Sequence, residues 1–209
     1  MRIAGWKSAG MALGVMGGVA VFVSAIAAPP RPLAEQTELA GVQLSLDPEQ
    51  SKVHYMVDST LHTVHGTFNV KSGTISFDPA SGKASGEVVV YATSGDSGNS
   101  SRDERMHKEI LETRKYPDAT FRPTQVDGAV ALAGTSDVKV KGIINLHGQD
   151  HEVVALVHAE MAANRWKGTA KFDVPYIQWG IKDPSSWLLK VKPVVNVELD
   201  MSGTAKAAN

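Results

Sequence analysis

Residues 192–202 read KPVVNVELDMS, and their period is two. Pro193, Val195, Val197, Leu199 and Met201 fall on one face, Asn196, Glu198, Asp200 and Ser202 on the other, and only Val194 breaks the alternation. Successive side chains of an extended chain point to opposite faces, so this stretch is a strand with one apolar and one wetted side. The same pattern recurs upstream at Val53, Tyr55, Val57; at Ile75, Phe77; at Val88, Val90, Ala92; and at Val138, Val140, Ile144, Leu146. Two further runs follow, Val153, Ala155, Val157, Ala159, Met161 and then Trp166, Ala170, Phe172, Val174. All read as half-buried strands.

Turn signals separate these runs: Asp78-Pro79-Ala80-Ser81-Gly82, Asp127-Gly128, His147-Gly148-Gln149-Asp150 and Ala163-Asn164. Short connections imply antiparallel neighbours and an all-β fold. A two-sheet sandwich and a closed barrel both accommodate such a meander. The long runs over 139–146 and 151–161 favour closure, which leaves no unpaired edge.

One segment departs from the alternation. After the polar loop of residues 94–101 (SGDSGNSS) comes RDERMHKEILETRKYP, with good helix formers, a Ser101–Glu104 capping box and Pro117 beyond its end. The spacing predicts one inserted helix over about 100–115, from Arg102 to Lys115. Met106, Ile110 and Thr113 form a narrow apolar stripe beside Leu111, suited to lying over the open end of a barrel.

The 209 residues carry 21 cations and 22 anions, a formal charge of -1, which excludes the cation surplus a general nucleic-acid surface needs. The chain has no cysteine, hence no disulfide, thiolate metal site, Cys nucleophile or acylated lipoprotein cysteine. At the start, Arg2 and Lys7 precede the nearly uncharged run 8–28, and Ala25-Ile26-Ala27 fits a signal-peptidase site. Residues 1–27 therefore read as an export signal cleaved after Ala27, which places the mature protein in the periplasm. An uncleaved inner-membrane anchor is the alternative, since a run of about 20 residues reaches across a bilayer. Loss of Arg2 and Lys7 leaves 19 cations against 22 anions, a charge of -3. Residues 28–41 (APPRPLAEQTELAG) hold three prolines and no apolar period, a linker before a domain spanning 42–209.

No motif of nucleophilic or phosphate chemistry is present: no G-x-S-x-G, H-E-x-x-H, P-loop or G-x-G-x-x-G. Ser185 and Ser186 follow Asp183-Pro184 and read as turn residues. His62 and His65 stand three apart, but on a strand such positions face opposite ways, which argues against shared metal ligation. His147 and His151 flank a turn and read as solvated. The expectation is a protein without metal, cofactor or catalytic residues. Arg102 opens the helix with Asp103 and either pairs with a neighbouring carboxylate or meets an anionic group at the barrel mouth. Pro175-Tyr176-Ile177-Gln178-Trp179-Gly180 suits an aromatic rim or plug.

In this order the pieces resemble the YceI-like family of exported bacterial proteins, over Leu46 to Ala205. The resemblance rests on 47–53 (DPEQSKV), His62 with Gly66-Thr67-Phe68, 73–78 (GTISFD), Arg102-Asp103, Met106-His107 and Tyr116-Pro117 with Phe121. It continues through Lys141-Gly142, Leu146-His147-Gly148, Trp179-Gly180 and 195–199. Where the family carries an Arg and Asp-Phe-Gly before the last strands, this chain has residues 175–180 (PYIQWG) and an extended loop at 182–187.

The resemblance implies an extended, lipocalin-like antiparallel barrel of about eight strands with a helix near its opening. It also implies a binder or carrier of isoprenoids or other long-chain amphiphilic lipids rather than an enzyme. The expected tail site comprises Phe68, Ile75, Phe77, Val88, Val90, Ile144, Phe172, Val195 and Val197, with Trp166 and Trp179 near its ends and Arg102 and His107 at the mouth. A hydrolase or isomerase acting on an amphiphile, and a filled-core structural or stress-response barrel, are the competing readings. Transient membrane contact and a homodimer are compatible partners.

Overall fold

A computed structural model describes residues 41–208; the expected signal segment and all of the linker except Gly41 lie outside the described residues. The strands are β1 (Gly41–Leu46), β2 (Lys52–Asp58), β3 (Thr63–Phe77), β4 (Ala84–Asp96), β5 (Asp118–Asp127), β6 (Gly134–Leu146), β7 (Gln149–Ala162), β8 (Arg165–Val174) and β9 (Val195–Ala208). Gly41, read above as the last linker residue, already pairs with Ala208.

Every neighbouring pair is antiparallel, in the order β1-β3-β2-β9-β8-β7-β6-β5-β4, and additional β1–β9 and β3–β4 pairings close the sheet. Both β1 and β2 lie between β3 and β9. They form one stave broken by the short 3-10 turn Pro48–Gln50, capped by the Asp47 side chain. Nine strand segments thus build an eight-stave barrel, as the alternation and the resemblance anticipate. Closure leaves no long unpaired edge.

The hairpins sort into two ends. Residues 78–83, 128–133 and 163–164 lie at one end, and residues 59–62, 97–117, 147–148 and 175–194 at the other. The β6–β7 turn shows why its sequence reads as a turn: His147 and Gly148 have φ of 55° and 76°, the left-handed pair that a two-residue hairpin takes. In β5, Pro123 sits at a register shift, where its missing N–H interrupts the ladder least.

The inserted helix is shorter and differently built than its sequence suggests. An α-helical turn α1 spans Ser100–Arg105 and passes into a π-helical turn, Met106–Ile110. Asn99 rather than Ser101 caps it, its side chain accepting from Arg102 N–H at 3.0 Å. The wider turn, closed by Leu111 N–H donating to Met106 O at 2.8 Å, brings Met106, Ile110 and Leu111 together over the barrel interior. Glu112, at φ 46°, ends the helical path well before Lys115, because the chain must return to pair Asp118 with Tyr91.

Candidate functional site

The apolar faces read from the alternation converge on one interior cavity of about 570 Å³. Nearly every wall residue is aliphatic or aromatic. The end opposite the helix is closed by Leu46, Phe77, Val126, Trp166 and Met201, which belong to one buried cluster. Packing in this core stays incomplete: among the described residues no large side chain is fully buried, and Val88, on the cavity wall, retains 3% exposure. A filled core would leave no such void. Interiors normally pack to crystal-like density.

Of the expected tail residues, Phe68, Ile75, Phe77, Val88, Val90, Ile144, Trp166, Phe172, Val195 and Val197 all line the cavity. Arg102 lines it too, at the mouth. Trp179 does not: its ring stacks on His151 with centroids 4.2 Å apart and planes 3° apart. The bend that closes with Trp179 N–H on Pro175 O, 3.2 Å, turns Tyr176 inward and leaves Trp179 half-buried behind it. His107 is also off the wall. Its Nε2 donates to Gly95 O at 3.1 Å, which holds the helical segment to β4, and its Nδ1 faces Thr113 Oγ1 at 3.4 Å in the chain that follows.

Arg102 makes no direct pair with a carboxylate among the described residues. Its Nε donates to Ser97 Oγ at 2.8 Å and its Nη2 to Ser97 O at 2.7 Å, while Ser97 N–H donates to Asp103 Oδ1 at 2.9 Å. Ser97 thus bridges cation and carboxylate, and the guanidinium is held beside the mouth. His147 is likewise not simply solvated: its Nε2 lies 2.8 Å from Glu112 Oε2, and its ring packs on Tyr116. The two left-handed residues, Glu112 and His147, therefore tie the segment after the helix to the β6–β7 turn.

Three segments frame that mouth: the helical segment, the β2–β3 turn and the long 175–194 connection. Lys182 Nζ reaches Glu109 Oε2 at 2.8 Å, and Lys192 Nζ reaches Asp58 Oδ2 at 2.8 Å. Hydrogen bonding from those lysines holds both carboxyls below their ordinary values. Tyr176, read above as part of an aromatic rim or plug, joins the wall, and so do Ile181, Leu189 and Val191 of the same connection, which sequence reasoning missed because no period announces them. Tyr176 is 5% exposed, and its hydroxyl is buried without a hydrogen-bond partner. Burial pushes that phenol up to about 12. Among the described residues, no three His, Asp or Glu side chains gather as a metal site.

A closed antiparallel barrel around an apolar cavity, with a helix laid across its mouth, has the architecture of the lipocalin-like barrels. The chain belongs to the YceI-like domain family, which it matches over residues 44–203. It is 30% identical over 148 residues to a UPF0312 protein of Vibrio cholerae serotype O1, covering 68% of this chain and 75% of that one. BcnA of Burkholderia cenocepacia shares the fold with a TM-score of 0.62 at 17% identity, over 76% of this chain and 99% of that one. A polyisoprenoid binding domain of Saccharophagus degradans, implicated in plant cell wall breakdown, superposes with a TM-score of 0.59 at 18% identity, over 81% and 99% of the two chains.

Proposed function

We propose that this protein binds and carries a long-chain apolar lipid, an isoprenoid or similar amphiphile, with the tail inside the barrel. The observation that carries the reading is the 570 Å³ cavity walled by aliphatic and aromatic side chains. Such a void favours hydrocarbon over water, and each buried methylene contributes about 0.8 kcal/mol before ordering costs. The YceI-like membership and the ligand named for the Saccharophagus degradans domain point the same way. Few polar groups face the cavity. The Arg102 guanidinium and the unpartnered Tyr176 hydroxyl stand at the mouth side, where a ligand's polar end would meet them. The one hydroxyl–imidazole pair described near the mouth, Thr113 with His107, stands off the cavity wall, and the wall itself is apolar, so binding rather than turnover is the function proposed.

The working location is outside the cytoplasm, with cleavage after Ala27. Intact mass of protein expressed in a bacterial host tests this; a species that keeps Met1 and fractionates with the inner membrane would refute it. For binding, the test is organic extraction of the purified protein followed by mass spectrometry. A long-chain lipid near one per protein is expected. Protein that carries none, and whose melting temperature ignores added isoprenoid, would leave the reading without support.

A further inference from the structure

The rim of the mouth carries an apolar projection that contacts among the described residues do not account for. Within residues 182–192, Ser186 N–H donates to Leu189 O at 2.7 Å, and Leu189 N–H donates to Ser186 Oγ at 3.1 Å. This closes a tight turn with Trp187 and Leu188 at its tip, 86% and 66% exposed. The β2–β3 turn stands beside it: Thr60 N–H donates to Lys190 O at 2.9 Å, Lys190 N–H donates to Thr60 Oγ1 at 3.3 Å, and its Leu61 is 73% exposed. Residues next to these tips, Ser59, His62, Leu189 and Val191, line the cavity. The exposed apolar tips are therefore continuous with the way in.

Charge narrows what the tips can meet. Lys182 and Lys192 are matched by Glu109 and Asp58, and Arg105 also lies 3.8 Å from Glu109. Lys190 has Asp183 as a neighbour, and Arg102 has Asp103 across Ser97. A rim so nearly balanced is not built for a polyanion. A stable protein interface takes roughly 800 Å² from each partner, more than three side chains on two turn tips supply. A bilayer asks less: Trp sits at the headgroup level with its apolar body inward, and Leu reaches below it.

We propose that Trp187, Leu188 and Leu61 dock the mouth onto a phospholipid bilayer, so that a long apolar ligand passes between membrane and cavity without crossing water. This rests on the lipid-binding reading above. The difference in emission between the wild type and Trp187→Phe isolates position 187. With phosphatidylcholine vesicles that component is expected to be quenched when the acyl chains are brominated, and to stay quenched at high salt. Trp187→Ser combined with Leu188→Ser should slow isoprenoid transfer from vesicles by about tenfold or more, while uptake from detergent micelles is unchanged. Emission at position 187 indifferent to brominated lipid, or unaltered transfer from vesicles, would overturn the proposal. So would a wild-type dimer, seen by sedimentation, that the double variant abolishes, because a second copy would then cover the tips. Wild type that takes up nothing from micelles would sink the lipid-binding reading alone, since quenching at position 187 needs no ligand.

Discussion

A Cβ added at Gly95 would fall 2.5 Å from Met106 Cε, 2.6 Å from Phe68 Cε1 and 3.2 Å from His107 Cε1. The methionine end can move; the Phe68 ring, wedged beside Tyr55 at 5.4 Å, has less room. Gly95→Ala should therefore lift the helical segment and destabilise the protein by ~1 to 3 kcal/mol, read from denaturant unfolding. Tyr176 supplies a second expectation. Its folded pKa lies above the unfolded value of 10.0, so the stability held by the neutral phenol is whole below pH 10 and is lost as pH rises through about 12. Tyr176→Phe should remove the latest-titrating tyrosine from an alkaline absorbance titration. It should also leave stability near neutral pH unchanged or higher, because the hydroxyl it deletes is unpartnered. Gly95, in a polar loop sequence, was not legible beforehand; Tyr176 was legible only as one of two aromatics suited to a rim or plug, and of the two it is Tyr176 that turns inward.

The strands were legible because alternation is imposed by the chain itself, whatever surrounds it, and Val195, Val197, Leu199 and Met201 do face the cavity as their spacing requires. The helical segment was only half legible. Ser101 and Asn99 are both good caps, and the choice between them, like the π-helical turn at Met106–Ile110, depends on how the segment seats over the mouth. The 175–194 connection was illegible because bonds from distant residues hold it, Thr60 to Lys190 and Asp58 to Lys192 among them. Those ties give a pH dependence. The carboxyls of Glu109 and Asp58 are depressed from their ordinary 4.5 and 3.8, so the support they lend is present above those values and is lost as pH falls through the lower folded ones. Both pairs are exposed, so the effect is local and small. Exchange protection in residues 182–192, corrected for intrinsic rates, should fall below about pH 4 while that of β6–β7 holds.

Across the whole barrel, Val197 is the position that separates a working cavity from a packing defect. It faces the interior between Phe172 on β8 and Tyr55 on β2. Val197→Phe should occupy space without unfolding the barrel. Wild type should melt higher with isoprenoid, by the mass action of a ligand that binds only the native state, and the variant should not. A variant destabilised by ~1 to 3 kcal/mol, beside a wild type that ignores the lipid, would mean that the space is already taken. The broken stave has a consequence in time as well as space. Because β1 and β2 pair with β9, the barrel cannot shut until Val195–Ala208 have been made, and each β1–β9 and β2–β9 contact spans most of the domain. Such contacts form late and slowly. Until that last strand is in place the sheet encloses no cavity, so only the finished molecule can hold a chain inside it.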